Sequence, residues 1–253
     1  MAIQENPYLP PAARVADAHV ARGGYIEGGR AVAPGQGWKW IAAGWRTFKS
    51  QPGTWILLVL ALGFMVIAVS LIPFLGSLAL PLLMPVFVAG LMLACDKIER
   101  DESIAFADLF SGFQNAVGPL VLLGAIGLGL TFAVAIPAMV ILFVVGFSGG
   151  FANITAGGVA VIVLVYIGLL LPVYMALWFG PPLVALQDLP PSRAIAESFR
   201  GCLKNIVPFL VYSAVLFLLA IVATLPLFLG WFVLGPVMIA SIYAAFRDIY
   251  FER

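Results

Sequence analysis

All 13 Lys and Arg and all 12 Asp and Glu residues of this chain fall within four short stretches, residues 1–49, 96–108, 188–204 and 247–253. Between them the sequence is apolar in runs long enough to cross a bilayer. A charge at the centre of a membrane helix costs ~2.5–3.5 kcal/mol on even the mildest scale, so a chain segregated this way is written for lipid as its solvent. Composition agrees, since 63% of the 253 residues are hydrophobic and only 10% are charged, well outside the soluble range. A net charge of +1 supplies no basic field for nucleic acid, which is not expected as a partner.

Six apolar runs, at 54–72, 74–95, 118–145, 158–180, 206–227 and 230–246, each approach the ~20 residues that a membrane helix needs. The links on one side, Pro73 to Gly76, Gly146 to Gly157 and Leu229 to Trp231, contain no charge. Every Lys and Arg lies on the other, which the positive-inside rule makes cytoplasmic, together with both termini. Residues 1–49 are polar and glycine-rich, unlike a cleavable signal, so insertion is expected to begin near Thr54. The expected location is the bacterial inner membrane, with multiple crossings.

The expected fold is all-α and polytopic: a flexible tail over 1–37 and one membrane domain over 38–253, in three parallel hairpin repeats at about 38–95, 103–187 and 192–246. An amphipathic segment precedes each pair of spans. Trp38, Ile41, Trp45 and Phe48 share one helical face, as do Phe106, Leu109, Phe110 and Phe113. Ile195, Phe199, Cys202 and Leu203 oppose Arg193, Glu197, Arg200 and Lys204. Spacing of this kind suits a helix lying in the cytoplasmic membrane interface. Pro52, Pro119 and Pro208 then open the first span of each unit, where proline is tolerated. Prolines recur in the second spans, at Pro81, Pro85, Pro172, Pro181, Pro182 and Pro236, and each removes a backbone hydrogen bond that packing or water must replace.

No catalytic, cofactor-binding or metal-ligating residue is assigned. The spans hold no Asp, Glu, His, Lys or Arg, and proton relays, ion-coupled carriers and intramembrane hydrolases depend on such groups. Ser70, Thr131, Tyr166, Tyr174, Ser213, Thr224, Ser241 and Tyr243 are the polar groups at depth, suited to hydrogen bonding between helices. Cys95 and Cys202 show no metal or redox spacing, and His19 stands alone. The acidic run Asp96, Glu99, Asp101, Glu102 and Asp108 is interleaved with Lys97 and Arg100, and reads as a solvated loop. Lys39, Arg46, Lys49, Arg193, Arg200 and Lys204 lie close to span ends and are candidate contacts for lipid headgroups. Asn6, Pro7, Tyr8, Pro10 and Pro11 form an extended proline-rich segment, a candidate docking peptide for a membrane-protein partner.

Several segments carry a resemblance. Asn6-Pro7-Tyr8-Leu9-Pro10-Pro11 with Arg14-Val15-Ala16-Asp17, Gly44-Trp45-Arg46-Thr47-Phe48, the run Met84 to Leu93 and Asp108-Leu109-Phe110-Ser111-Gly112-Phe113 resemble a family of uncharacterised proteobacterial six-span inner-membrane proteins, a domain of unknown function. The resemblance implies the fold and carries no activity or catalytic residues. The segment Ser198 to Pro208 is similar to one in the membrane domains attached to glycerophosphodiester phosphodiesterases. The chain has no room for that hydrolase, so the activity is not implied.

The functional expectation is a non-enzymatic integral inner-membrane protein, a scaffold or accessory to other membrane components or a lipid-associated protein. Its expected partners are membrane lipids, another membrane protein or a second copy of itself. The alternative is a transporter or flippase for an apolar or amphiphilic small molecule, motivated by the proline-broken spans.

Overall fold

The computed structural model describes residues 24–147 and 156–252. They form α1 (Gln36–Ser50), α2 (Pro52–Ser70), α3 (Leu75–Glu99), a 3-10 turn (Phe106–Phe110), α4 (Ser111–Asn115), α5 (Val117–Phe147), α6 (Ala156–Trp178), α7 (Gly180–Gln187), α8 (Pro191–Lys204), α9 (Ile206–Thr224) and α10 (Trp231–Tyr250). Six candidate membrane spans result, α6 and α7 together making one of them. They match the six apolar runs to within a few residues, and the fold is all-α as expected. Proline sets several starts: Pro52, Pro181 and Pro191 occupy the first helical positions of α2, α7 and α8, where the missing N–H would have no partner in any case. Inside helices lie Pro81 and Pro85, Pro137, Pro172 and Pro236.

The core sits at one end. Its buried residues come from α1, the start of α2 at Trp55 and Leu58, the C-terminal halves of α3 and α10, the start of α5, α7, α8 and Tyr212 of α9. Half of the apolar window of α3 and of α10 is buried, against 6–22% for the other four spans. Two central helices are thus wrapped at the charged end, while the far portions of α2, α5, α6 and α9 present Phe64, Ile67, Met139, Phe143, Leu164 and Phe217 outward. In water such a surface would aggregate; in hydrocarbon it costs nothing.

Each element ahead of a hairpin packs on the hairpin before it in cyclic order. The 3-10 turn and α4 pack on α3, α8 packs on α6 and α7, and α1 closes the circuit on α9 and α10. Two of these contacts repeat one detail. A Cβ on Gly44 of α1 would strike the backbone of Val237 and Ser241, and one on Gly112 of α4 would strike the carbonyl of Val86. Val86 and Val237 each follow a helix-internal proline, Pro85 and Pro236. A third Pro-Val pair, Pro172-Val173, lies in α6.

Three expectations change. Residues 24–35, expected to continue a flexible tail, lie as a strap across α8 and the end of α10. Ile26 N donates to Tyr250 O (2.8 Å), Arg30 N to Ile249 O (2.9 Å) and Glu252 N to Gly24 O (3.2 Å). Glycine served there because Gly28 and Gly29 adopt positive φ. The second amphipathic segment is a 3-10 turn and one short helix rather than a continuous α-helix. In α8 the buried face is Ala194, Glu197, Ser198, Gly201 and Cys202, whereas Leu203 is exposed. The small, polar face of α8 therefore meets the protein, because small residues admit the close approach that Phe199 and Leu203 would prevent.

Candidate functional site at the charged rim

Four polar nodes knit the charged end together. In the first, the single hydroxyl proton of Tyr243 faces two carboxylates, Asp96 Oδ1 at 3.1 Å and Glu99 Oε2 at 2.6 Å. Arg247 Nε lies 3.2 Å from Glu99 Oε2, and Arg100 pairs with Asp96. Asp96 is buried, a placement that needs such partners. In the second node Asp248 receives Trp40 Nε1 at 3.0 Å and Arg30 Nη2 at 3.2 Å. The third pairs Lys97 Nζ with buried Asp108 Oδ1 at 2.5 Å, while Asp108 Oδ2 accepts the Ala105 N–H at 2.8 Å.

The fourth node holds the strap. Buried Glu197 accepts the Gly28 N–H, the Tyr25 hydroxyl at 3.4 Å and Arg200 Nη1 at 3.3 Å. Burial, and then the Glu197 carboxylate, push the Tyr25 phenol well above its ordinary range, so it stays a donor. Asn205 accepts from Val32 N and donates to Arg30 O, both at 2.8 Å. Lys204 Nζ donates to Gly29 O at 2.8 Å, and Arg193 pairs with Glu27 at 2.7 Å. Gln51, between α1 and α2 as Asn205 is between α8 and α9, likewise accepts a backbone N–H, from Ile104 at 3.1 Å.

The six candidate headgroup residues therefore divide. Arg193, Arg200 and Lys204 are engaged inside the protein. Lys39, Arg46 and Lys49 are exposed on α1 and form no ion pair among the described residues. The Lys49 ammonium lies 5.9 Å from the Trp45 ring centroid. The docking candidates Asn6, Pro7, Tyr8, Pro10 and Pro11 lie outside the described residues. Of the acidic run expected to be solvated, Asp101 and Glu102 are exposed, whereas Asp96 and Asp108 are buried and join Glu99 in the first and third nodes, with Cys95 buried beside them. Sequence reading named Tyr243 as an interhelical hydrogen-bonding group and missed Glu197, Asn205 and Ser198 as structural polar residues. Their signal was the small-residue face at 194, 198 and 201, which seats Glu197 inward.

Helix α1 separates two clefts. On one side Ala43, Arg46 and Thr47 face a polar cleft of ≈ 610 Å³, closed by Glu99, Tyr243 and Arg247. On the other, Trp38, Ala42 and Trp45 face an apolar groove of ≈ 480 Å³ against Leu219, Val222, Val233 and Val237 of α9 and α10. Further apolar clefts lie between α5 and α6, ≈ 550 Å³ beside Pro137, and among α6, α8 and α9, ≈ 230 Å³ beside Cys202. Of the carboxylates lining the polar cleft, Glu99 meets Tyr243 and Arg247 and Asp248 meets Trp40 and Arg30, while Asp101 and Glu252 are exposed. Chemically, the rim binds and braces.

A comparison with known proteins found similarity to a probable inner membrane protein of Burkholderia thailandensis, 29% identical over 205 residues that span 75% of each chain. No family model and no solved structure matches. With six apolar helices, this relative makes the chain a multi-pass integral inner-membrane protein. It bears neither on the Asn6 to Pro11 segment nor on the likeness to phosphodiesterase membrane domains.

Proposed function

We propose that this is a non-enzymatic, lipid-associated protein of the inner membrane, built from three successive units and oriented with its charged rim in the cytoplasm. One observation carries the reading. The packed core and the charge brace share one end, while apolar clefts of ≈ 550 and ≈ 480 Å³ open along the spans, and a third of ≈ 230 Å³ opens beside Cys202 at the braced end. Clefts of this character, lacking charge and facing hydrocarbon, accept acyl chains at no cost in polar desolvation. The cyclic seating of each amphipathic element on the preceding hairpin supports the three-unit reading. The uncharged far-side links support the orientation. The pairing of Asp96, Asp108, Glu197 and Asp248, and the lack of an activated nucleophile among the described residues of the spans, favour a role without chemistry.

The test is extraction in a mild non-ionic detergent followed by mass spectrometry of lipids retained by the full chain. Retained phospholipid whose removal lowers the unfolding temperature is the expected result. A protein stripped of lipid with no loss of stability defeats the reading.

Transport of an amphiphile is the second reading, favoured by Pro137 and Pro172 inside the two helices that flank the ≈ 550 Å³ apolar cleft. Each removes a helical hydrogen bond and supplies a bend. Reconstituted vesicles that move a fluorescent phospholipid between leaflets no faster than empty ones would exclude it.

A further inference from the structure

We infer that the groove between α1 and the α9–α10 hairpin seats one anionic phospholipid, its acyl chain beneath Trp38 and Trp45 and its phosphate on Lys39, Arg46 and Lys49. The inference deepens the lipid-associated reading and rests on it.

Three independent features meet here. First, the charge is unbalanced: α1 contains three cations and no Asp or Glu, and no acidic residue occurs between Glu27 and Asp96. Second, those cations are unspent. Arg30, Lys97, Arg100, Arg193, Arg200 and Arg247 all form ion pairs with carboxylates, and Lys204 holds the Gly29 carbonyl. Lys39, Arg46 and Lys49 form none among the described residues. Third, the groove below them is apolar and rimmed by the two exposed indoles of α1, Trp38 and Trp45. Indole rings favour the headgroup level of a bilayer.

Helix geometry orders these parts. Gly37, Trp40, Ile41, Gly44 and Phe48 face the protein. Lys39 and Arg46, seven residues apart, share the opposite face, where Arg46 also borders the polar cleft lined by Glu99, Asp101, Asp248 and Glu252, and Lys49 turns toward Trp45 and the groove. The cationic row spans ~15 Å at 1.5 Å per residue, enough to follow a phosphate and its glycerol linkage. A second copy or a partner helix would bring an apolar face without satisfying this charge. An anionic lipid satisfies both at once.

The experiment uses the full chain in nanodiscs, with bound lipid counted by native mass spectrometry against phosphatidylglycerol and phosphatidylcholine. The wild type is expected to retain phosphatidylglycerol preferentially. Each change of Lys39, Arg46 or Lys49 to Gln should weaken that preference about fivefold. These side chains make no ion pair among the described residues, so the triple variant should unfold at the wild-type temperature in phosphatidylcholine. Val222→Trp, at a 61% exposed position lining the groove, should block the seat without disturbing the core.

Unchanged preference in the triple variant overturns the inference, as does unchanged retention in Val222→Trp. Retention of both lipids alike removes the anionic site while leaving lipid association intact. A protein that keeps no lipid at all defeats the broader reading instead. A dimer dispersed by Val222→Trp with lipid retention unaltered would assign the groove to a second copy.

Discussion

Tyr243 shows how a buried polar group is kept from becoming a liability. Its hydroxyl stands between Asp96 and Glu99, with Arg100 and Arg247 completing the charge balance. Tyr243→Phe removes the donor and leaves two carboxylates facing an apolar ring edge. A cost of about 1–3 kcal/mol is expected for the orphaned acceptors, read as a lower midpoint in denaturant titration of the detergent-solubilised protein. Cys202 poses the opposite case. Burial pushes its thiol from an ordinary 9.0 up to about 12, with the Ser198 hydrogen bond opposing the shift. A raised thiol pKa means that its neutral form is favoured by folding. Its contribution is whole below pH 9 and is lost as pH climbs from 9.0 towards about 12. In a Cys95→Ala background, an alkylating reagent at pH 7.5 should label the folded protein very slowly and the SDS-unfolded protein fully. Rapid labelling before unfolding would show a reactive thiolate that this burial forbids.

At the level of elements, what matters is which face each amphipathic helix turns inward. Gly44 lets α1 reach the backbone of α10 at Val237 and Ser241. Gly44→Leu should prise the helices apart at about 1–3 kcal/mol, an overpacking cost measured as a lower unfolding temperature. The strap is held differently, by the Glu197 carboxylate and the side chain of Asn205. Glu197→Ala leaves the Gly28 N–H and Tyr25 hydroxyl without that acceptor. The strap should then open often enough for trypsin to cut after Arg30 many times faster than in the wild type, while cleavage within the membrane helices stays negligible. Equal cutting rates would mean that backbone pairing with residues 249–252 suffices alone.

For the molecule as a whole, stability and exposure run in opposite directions along the membrane normal. The charged end is packed and braced, and the far end is splayed into lipid. The proposed orientation predicts that Gln114→Cys and Ser77→Cys, both exposed positions at opposite ends, react from opposite compartments. In intact cells an impermeant maleimide should reach position 77 and not 114; lysis should open 114. Labelling of both from outside would dismantle the single-sided arrangement of charge.

Much of this was legible beforehand, and the reason is solvent. Where hydrocarbon surrounds a helix, residue type alone reports location, so the six spans, the all-α fold and the common side of the charges followed from the order of apolar runs along the chain. Contacts between elements obey no such one-residue rule. Glu197 and Phe199 stand two apart on α8, yet the acid is buried and the aromatic less so. That outcome depends on Tyr25, Gly28 and Arg200 arriving from elsewhere in the fold. Likewise Lys39 and Lys204 look equivalent as membrane-proximal cations, and only long-range packing leaves the first without an ion pair among the described residues and gives the second a carbonyl to hold. Transfer into lipid is a property of one residue and its neighbours in sequence; partnering of buried polar groups is a property of the closed circuit of helices.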